Sequence, residues 1–453
     1  MSEDIRENKM GVMPVNRLLV TMAAPLALSM LIQAMYNIVD SIFVSHVSEA
    51  ALSAVSLAFP VQNVMMALSS GTAVGVNALL SRSLGSRRYD DADRYAGTGI
   101  FLSGVSAIIM LLFGVFFSRR YFAMQVADAD IIRYGGDYLF IVTVFSFGVF
   151  WQVLGERLLA STGKTLYFMI TQSTGAVINI ILDPILIFGL LGFPRLETSG
   201  AAIATVTGQF VAAGLAFLFN AKVNTEIHLR PRYIRLNLKY AKNILAIGIP
   251  SMIMLLVGSV MNYGMNQILL VFNSTAVAVF GIYYKQQSFV FMPVFGLNNA
   301  MVPIVAYNYG ARRRKRIVQT IKLSVLYAVL LMLVGFTLFM TIPETMLGMY
   351  NASETMMTIG VPALRTTALS FLFAGFCIVC SSVFQALGNG GYALIVSVCR
   401  QLLALLPIAY LFSLSGRLEL VWLAFPLAEI VSLTVSAVLL KRIYREKIAP
   451  LPD

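Results

Sequence analysis

The chain has 453 residues, of which 58% are hydrophobic and 12% are charged, about half the charged fraction of an ordinary soluble domain. This composition excludes a soluble globular enzyme. Lysine and arginine exceed aspartate and glutamate by twelve, but so hydrophobic a chain has no room for the solvated basic surface that nucleic-acid binding requires. We therefore expect no nucleic-acid partner and, from three cysteines inside apolar runs, neither a disulfide framework nor a metal site.

Twelve apolar runs follow one another along the chain, separated by polar or turn-forming breaks. A bilayer core about 30 Å thick requires about 20 apolar residues per helical span, and every run reaches that length. The sequence therefore predicts an all-α integral membrane protein with twelve transmembrane helices. The predicted spans cover residues 18–44, 50–80, 95–117, 134–159, 165–191, 200–220, 243–272, 276–309, 318–342, 357–387, 391–414 and 420–440.

The basic residues lie mostly on one side of these spans. If both termini are inside, 25 of the 33 lysines and arginines fall in inner segments and only five in outer segments. Short basic loops remain in the cytoplasm, so this bias predicts a multi-pass protein of the cell membrane with both termini cytoplasmic. The run from Arg312 to Arg316 fits this topological role far better than a nucleic-acid patch.

An internal repeat relates the two halves at an offset of 225 residues. Each half holds six spans, so both halves enter the membrane from the same side, as expected for a parallel repeat. We predict two pseudo-symmetric six-helix bundles around a central cavity: an amino-terminal lobe (1–221), a basic cytoplasmic connector (222–242) and a carboxy-terminal lobe (243–453). The pairs in register include Pro25 with Pro250, Asn37 with Asn262, Gly85 with Gly310, and Gly163 with Gly388.

Five short motifs, in their order along the chain, accompany this repeat. They are Gln33 to Val44, Ser83 to Gly85, Ala160 to Gly163, Asn179 to Pro184, and Gly200 to Ala204. Together they resemble the multidrug and toxic compound extrusion (MATE) family, and the absence of acids from the seventh span favours its DinF-like branch. The resemblance implies a monomeric antiporter, not an enzyme, that exports organic cationic or amphipathic compounds by alternating access. It uses no cofactor, only H⁺ or Na⁺ as the coupling ion.

Two acids lie at membrane depth. Asp40 stands 23 residues beyond Arg17 and Asp183 stands 19 beyond Lys164, which is about 35 Å and about 28 Å along a helix. Ionisable groups inside a bilayer are expensive and therefore indicate functional sites. A carboxylate can take a proton, or can bind Na⁺ together with amide and hydroxyl oxygens. The alternative is structural hydrogen bonding at a helix end, especially for Asp183, which precedes Pro184.

The resemblance also implies the neighbours of these acids. Asp40, Asp183 and Asn179 match the family's cation-site pattern in the first lobe, and Na⁺ would bind at these three. Tyr36, Tyr138 and Thr205 are expected beside them. The resemblance further implies a hinge in the first span at Pro25, for which the alternative is an ordinary proline kink.

A substrate cavity for diverse compounds needs deformable and aromatic surfaces rather than a sharp motif. Most methionines of such a chain pack or face lipid, so the candidates are few. The predicted cavity residues are Gln33, Asn37, Phe59, Met65, Asn262, Met265 and Met292. Small-molecule organic substrates and the lipid bilayer are the expected partners.

Charged residues of the second lobe leave two questions open. Arg400 and Glu429 are predicted to form an ion pair, whereas Lys285 either faces the cavity or extends to the membrane surface.

A lipid-linked oligosaccharide flippase is the alternative function and would require several basic residues in the cavity. A channel or membrane scaffold remains a third function, for which the duplication has no evident use.

Overall fold

The computed structural model describes residues 7–350 and 352–452, and every regular element in these ranges is helical. Ten long apolar helices and two bent pairs form the twelve spans, which confirms the predicted fold class. The spans are α1 (Val15–Ser45), α2 (Glu49–Gly85), α3 (Tyr89–Ala123), α4 (Ala129–Val144 with Phe147–Ser161), α5 (Thr165–Phe188), α6 (Glu197–Lys222), α7 (Leu238–Leu270), α8 (Ser274–Gly310), α9 (Arg314–Thr341), α10 (Glu354–Ala368 with Phe371–Ala386), α11 (Gly390–Ser413) and α12 (Leu418–Ile443).

The bends in α4 and α10 were not predicted from the sequence. The two halves of α4 meet at 47° and those of α10 at 50°. Neither break contains a proline, but each contains a serine whose hydroxyl donates to a carbonyl: Ser146 to Ala107 at 3.3 Å, and Ser370 to Thr367 at 2.7 Å. The Ser370 bond runs to a carbonyl of its own helix and competes with the helical ladder, which favours a bend, whereas the Ser146 bond joins the break in α4 to α3.

The internal repeat extends to backbone detail. Helices α2 and α8 both have 37 residues. Ser48 caps α2 by accepting from the backbone N–H of Ala51 at 3.0 Å, and Asn273, 225 positions later, caps α8 in the same way at 2.7 Å. The repeat also preserves a left-handed backbone conformation at a non-glycine residue: φ is 58° at Arg87 and 55° at Arg312.

Reciprocal glycine contacts join the two lobes at one end of the molecule. A Cβ on Gly85 would lie 1.9 Å from the carbonyl oxygen of Tyr307, and a Cβ on Gly310 would lie 2.0 Å from that of Arg82. Only glycine lets the two backbones approach this closely. Because Arg82 and Tyr307 are themselves 225 positions apart, α2 and α8 cross about the pseudo-two-fold axis. The lobes are therefore closed at this end, which also carries Arg312 and is called the basic face.

The segment between α6 and α7 lies against α3. It contains a single turn of 3₁₀ helix, Pro231–Tyr233. The backbone N–H of His228 donates to Asp93 at 2.7 Å, and the hydroxyl of Tyr233 donates to Asp90. These contacts hold the connector on the first lobe, although it leads directly into the second.

Candidate transport cavity and cation site

A cavity of about 630 Å³ lies between the two lobes, within the range that small-molecule sites occupy. Its wall is mixed, with glutamine and asparagine amides beside methionine and aromatic side chains. Among the predicted cavity residues, Gln33 and Met292 lie on this wall, one from each lobe. Gln172 also lines it and donates to Gln33 at 2.5 Å.

Five other predicted cavity residues lie off this wall. Adjacent residues of a helix point about 100° apart, so depth along a span does not settle which side chain faces the cavity. On α1, the side chains of Gln33 and Tyr36 line the wall, whereas Asn37 is exposed outside the cavity. On α2, Met66 lines the wall, whereas its neighbour Met65 is buried in the protein. The five residues are Asn37, Phe59, Met65, Asn262 and Met265.

The predicted cation residues of the first lobe lie together beside this cavity. The carboxyl groups of Asp40 and Asp183 are within hydrogen-bonding reach of each other, and the charge of Asp40 acts on both Tyr36 and Tyr138. Asp183 is fully buried, and Tyr138 is 2% exposed. One oxygen of each carboxylate, Oδ1, has no hydrogen-bond partner among the described residues. The site therefore presents two acceptors with no donor between them.

Amide and hydroxyl groups complete this cluster. The side chain of Asn179 contacts the Thr205 hydroxyl at 3.1 Å. With its amide rotated, the Asn179 nitrogen donates to Asp183 Oδ2 at 3.1 Å and its oxygen accepts from the Thr205 backbone at 3.0 Å. Gln62, which the sequence did not single out, donates to the Tyr138 hydroxyl at 2.9 Å. The oxygens present suit either a proton or Na⁺.

The hinge residue Pro25 lies inside α1, which is helical on both sides of it. Gly296 of α8 packs nearby, since a Cβ on it would lie 2.4 Å from the Cα of Ala27. A bend of α1 would have to separate these backbones. Hinging at Pro25 remains a prediction.

Sequence comparison identifies the family. The MatE family model matches residues 25–185 and again residues 250–411, together more than two thirds of the chain. The chain belongs to the MatE family. The two matches begin 225 residues apart, which is the offset of the internal repeat.

Known relatives of this MatE protein are transporters. The multidrug export protein MepA of Staphylococcus haemolyticus is 26% identical over 400 residues, covering 88% of this chain and 87% of MepA. An FAD transporter of Shewanella oneidensis is 25% identical over 418 residues, with 92% of each chain covered. A solved outward-facing multidrug resistance MATE transporter has the same fold, with a TM-score of 0.91, 23% identity, and coverage of 98% of this chain and 99% of that one.

A buried acid of the MatE cavity escaped the sequence analysis. Glu156 is 3% exposed and lines the cavity, where it accepts from Gln152 at 3.0 Å and from Thr171 at 3.4 Å. Arg157 lines the cavity as well. The available signal was an acid inside a predicted span, the same signal that identified Asp40.

The predicted ion pair of the second lobe is present. Arg400 lies 3.7 Å from Glu429, and the Arg400 side chain also lines the cavity. Arg400 belongs to a π-helical segment of α11, Cys399–Leu405, a widened turn that is frequent at functional positions. Lys285 is exposed and does not line the cavity.

Breaking this pair on one side is expected to destabilise the protein. Arg400→Met leaves the Glu429 carboxylate, 6% exposed, buried without its cation, at a cost of about 3 kcal/mol. Arg400→Met with Glu429→Leu removes both charges and should recover most of that loss. Thermal unfolding in detergent measures Arg400→Met, Glu429→Leu and the double variant. A double variant as unstable as the sum of the single ones would show that the two charges do not interact.

Proposed function

We propose that this MatE protein is a secondary antiporter that exports organic cationic or amphipathic compounds in exchange for H⁺, with Na⁺ as the alternative coupling ion. The facing carboxyl groups of Asp40 and Asp183 carry this proposal. Two ionised carboxylates at hydrogen-bonding distance repel each other strongly, and one bound proton or one Na⁺ removes the repulsion. The charge of the pair thus depends on the ion that it holds.

In an alternating-access mechanism, the charge of this carboxyl pair affects how the two lobes pack against each other. Asp40 is on α1, whose partner across the lobes is α8 through the close approach of Gly296 to Ala27. Asp183 is on α5, in the first lobe. Ion uptake or release changes how α1 packs on α5, and α1 in turn contacts the second lobe. An ion gradient can therefore bias the equilibrium between the two access states.

The cavity suits amphipathic cations. Glu156 offers a carboxyl group without an ion-pair partner among the described residues, and the surrounding methionine and aromatic side chains can adapt to different apolar bodies. A multidrug export protein among the relatives supports this substrate class. Because Glu156 is separate from the Asp40 and Asp183 pair in the chain and on a different helix, substrate and coupling ion need not share one carboxylate.

The basic residues of the cavity favour this function over a flippase for lipid-linked oligosaccharides. Of the lysines and arginines that the structure describes, only Arg157 and Arg400 line the cavity, and Arg400 is paired with Glu429. A pyrophosphate-bearing substrate would require a stronger positive field. Further parts of the proposal are a monomer in the cell membrane, DinF-like coupling through the first lobe, and a cytoplasmic basic face with both termini on it.

Transport into proteoliposomes under separately imposed pH and Na⁺ gradients tests the proposal. We expect a fluorescent organic cation to accumulate in the vesicles when a pH gradient is imposed. It should also accumulate under a Na⁺ gradient only if Na⁺ is a coupling ion. Protein-free liposomes under the same gradients are the control. Transport of a lipid-linked sugar without movement of any organic cation would replace the antiporter with the flippase.

A further inference from the structure

A second cavity, of about 360 Å³, opens at the basic face between the lobes. Its wall combines α2 and α3 of the first lobe with α7, the turn between α10 and α11, and the carboxy-terminal turn of the second. We call it the basic cleft. Its charged lining residues are Arg82, Arg88, Lys239, Lys447 and a single acid, Asp91.

Most of this positive charge is not neutralised within the protein. Arg88 pairs with Asp91 at 3.6 Å, but Arg82 donates no hydrogen bond and forms no ion pair among the described residues. The guanidinium of Arg82 only stacks on the ring of Tyr309, 4.7 Å from its centre, and it repels Lys447 across the lobe boundary. A half-buried guanidinium with five N–H donors normally has acceptors.

Across the axis, the repeat equivalent of Arg88 shows what such an arginine binds, whereas Arg82 and Asp91 of the cleft correspond there to Tyr307 and Arg316. Arg313 is the repeat equivalent of Arg88. There the short helix Lys9–Val12 lies against the arginines, and its backbone provides the acceptors. Arg313 donates to the Gly11 carbonyl at 2.5 Å and pairs with the Glu7 carboxylate at 2.5 Å. Arg316 donates to the carbonyls of Met10 at 2.9 Å and Met13 at 2.7 Å.

We propose that the basic cleft binds a phosphate group, supplied either by a soluble phosphate compound or by the headgroup of an anionic phospholipid. Phosphate accepts paired hydrogen bonds from a guanidinium and also attracts lysine ammonium groups, and the cleft offers both. Its volume is in the range of small-ligand sites, and basic pockets between spans bind lipid headgroups.

The bound phosphate would connect the lobes. Arg82 and Arg88 belong to the first lobe, and Lys447 belongs to the second. A dianion among them replaces the repulsion between Arg82 and Lys447 with attraction across the boundary. Phosphate binding therefore stabilises the state that is closed at the basic face and opposes its opening. This effect does not depend on which ion drives transport.

Two binding experiments on the purified full-length chain distinguish the sources of phosphate. The soluble arm titrates inorganic phosphate and pyrophosphate in neutral detergent, with chloride at equal ionic strength as the salt control, and records heat of binding and thermal midpoint. The lipid arm compares the thermal midpoint in phosphatidylcholine nanodiscs with and without phosphatidylglycerol. We expect stabilisation in at least one arm, and that arm identifies the source.

Charge variants make the test specific. Arg82→Gln should weaken binding about tenfold or more, since a hydrogen-bonded charge contact is lost, and Arg88→Gln provides a second variant at an exposed position. Arg235→Gln, the same charge change in the exposed connector outside the cleft, should bind like wild type. Equal responses of wild type, Arg82→Gln and Arg235→Gln, or no response in either arm, would overturn the proposal. Neither readout requires transport, so this result is independent of the antiporter test.

Discussion

Asp183→Asn is expected to reduce transport driven by an ion gradient sharply while leaving the fold intact. Asparagine has nearly the same volume as aspartate, but it cannot take up a proton or offer a charged ligand to Na⁺. Because Asp183 is fully buried against Asp40, no solvent group replaces it. We expect the stimulation by the gradient to fall about 5- to 150-fold, the usual size of a coupling free energy between two ligands. Asp40→Asn should have the same effect.

Substrate binding separates lost coupling from lost recognition. If the two acids serve the coupling ion, fluorescence quenching should show an organic cation binding to Asp183→Asn nearly as tightly as to wild type. Asp137→Asn is the matched control, because this exposed carboxylate of the same lobe pairs with Arg119 at 3.1 Å, far along the chain from both acids. Undiminished gradient-driven transport in both Asp40→Asn and Asp183→Asn would refute coupling through the first lobe.

The second large effect is expected at the crossing of α2 and α8. In Gly85→Ala the new methyl group would lie 1.9 Å from a backbone carbonyl oxygen, which cannot rotate away as a side chain would. The helices must separate, at a cost of about 1–3 kcal/mol or more. Thermal unfolding should show this loss, and Gly310→Ala should show a similar one, because its contact is the symmetric counterpart.

The double variant tests whether the two contacts form one interface. Once the helices are apart, the second methyl group meets no further obstacle, so Gly85→Ala with Gly310→Ala should cost clearly less than the sum of the single changes. Gly104→Ala is the control, since it lies in α3 with no atom within 4 Å of the added Cβ. It should stabilise the protein slightly through helix propensity. Strict additivity would contradict a shared interface.

Hydropathy and the repeat were sufficient to predict the spans, because length and burial in a bilayer leave one regular structure available to an apolar run. Turns that the 225-residue offset relates share their backbone geometry, as at Arg87 and Arg312. The bends at Ser146 and Ser370 could not be predicted from the sequence. The hydroxyl bonds at these breaks, within the helix at Ser370 and to α3 at Ser146, cannot be read from residue type, because serine also occurs in many straight helices.

Some residues of the candidate site could be predicted from the sequence and others could not. Asp40 and Asp183 could be singled out because acids at membrane depth are rare and therefore informative, and the family resemblance implied Asn179 as their neighbour. Cavity-lining residues could not be separated from their neighbours, as Met65 and Met66 show, because a span that is apolar on all sides carries no periodic signal for its inward face. The basic cleft could not be predicted from the sequence either, because the positive charge of inner loops already explains the arginines that line it.

The segment that ends at Met13 has a mechanical consequence. It continues covalently into α1 of the first lobe, yet its carbonyls accept four hydrogen bonds from Asn308, Arg313 and Arg316 of the second. The segment is therefore a tether across the boundary that must part when the basic face opens. The speed of that step is then set partly by residues 7–13, which lie outside the spans, and substitutions there can alter the rate of opening although none of these residues lines the cavity.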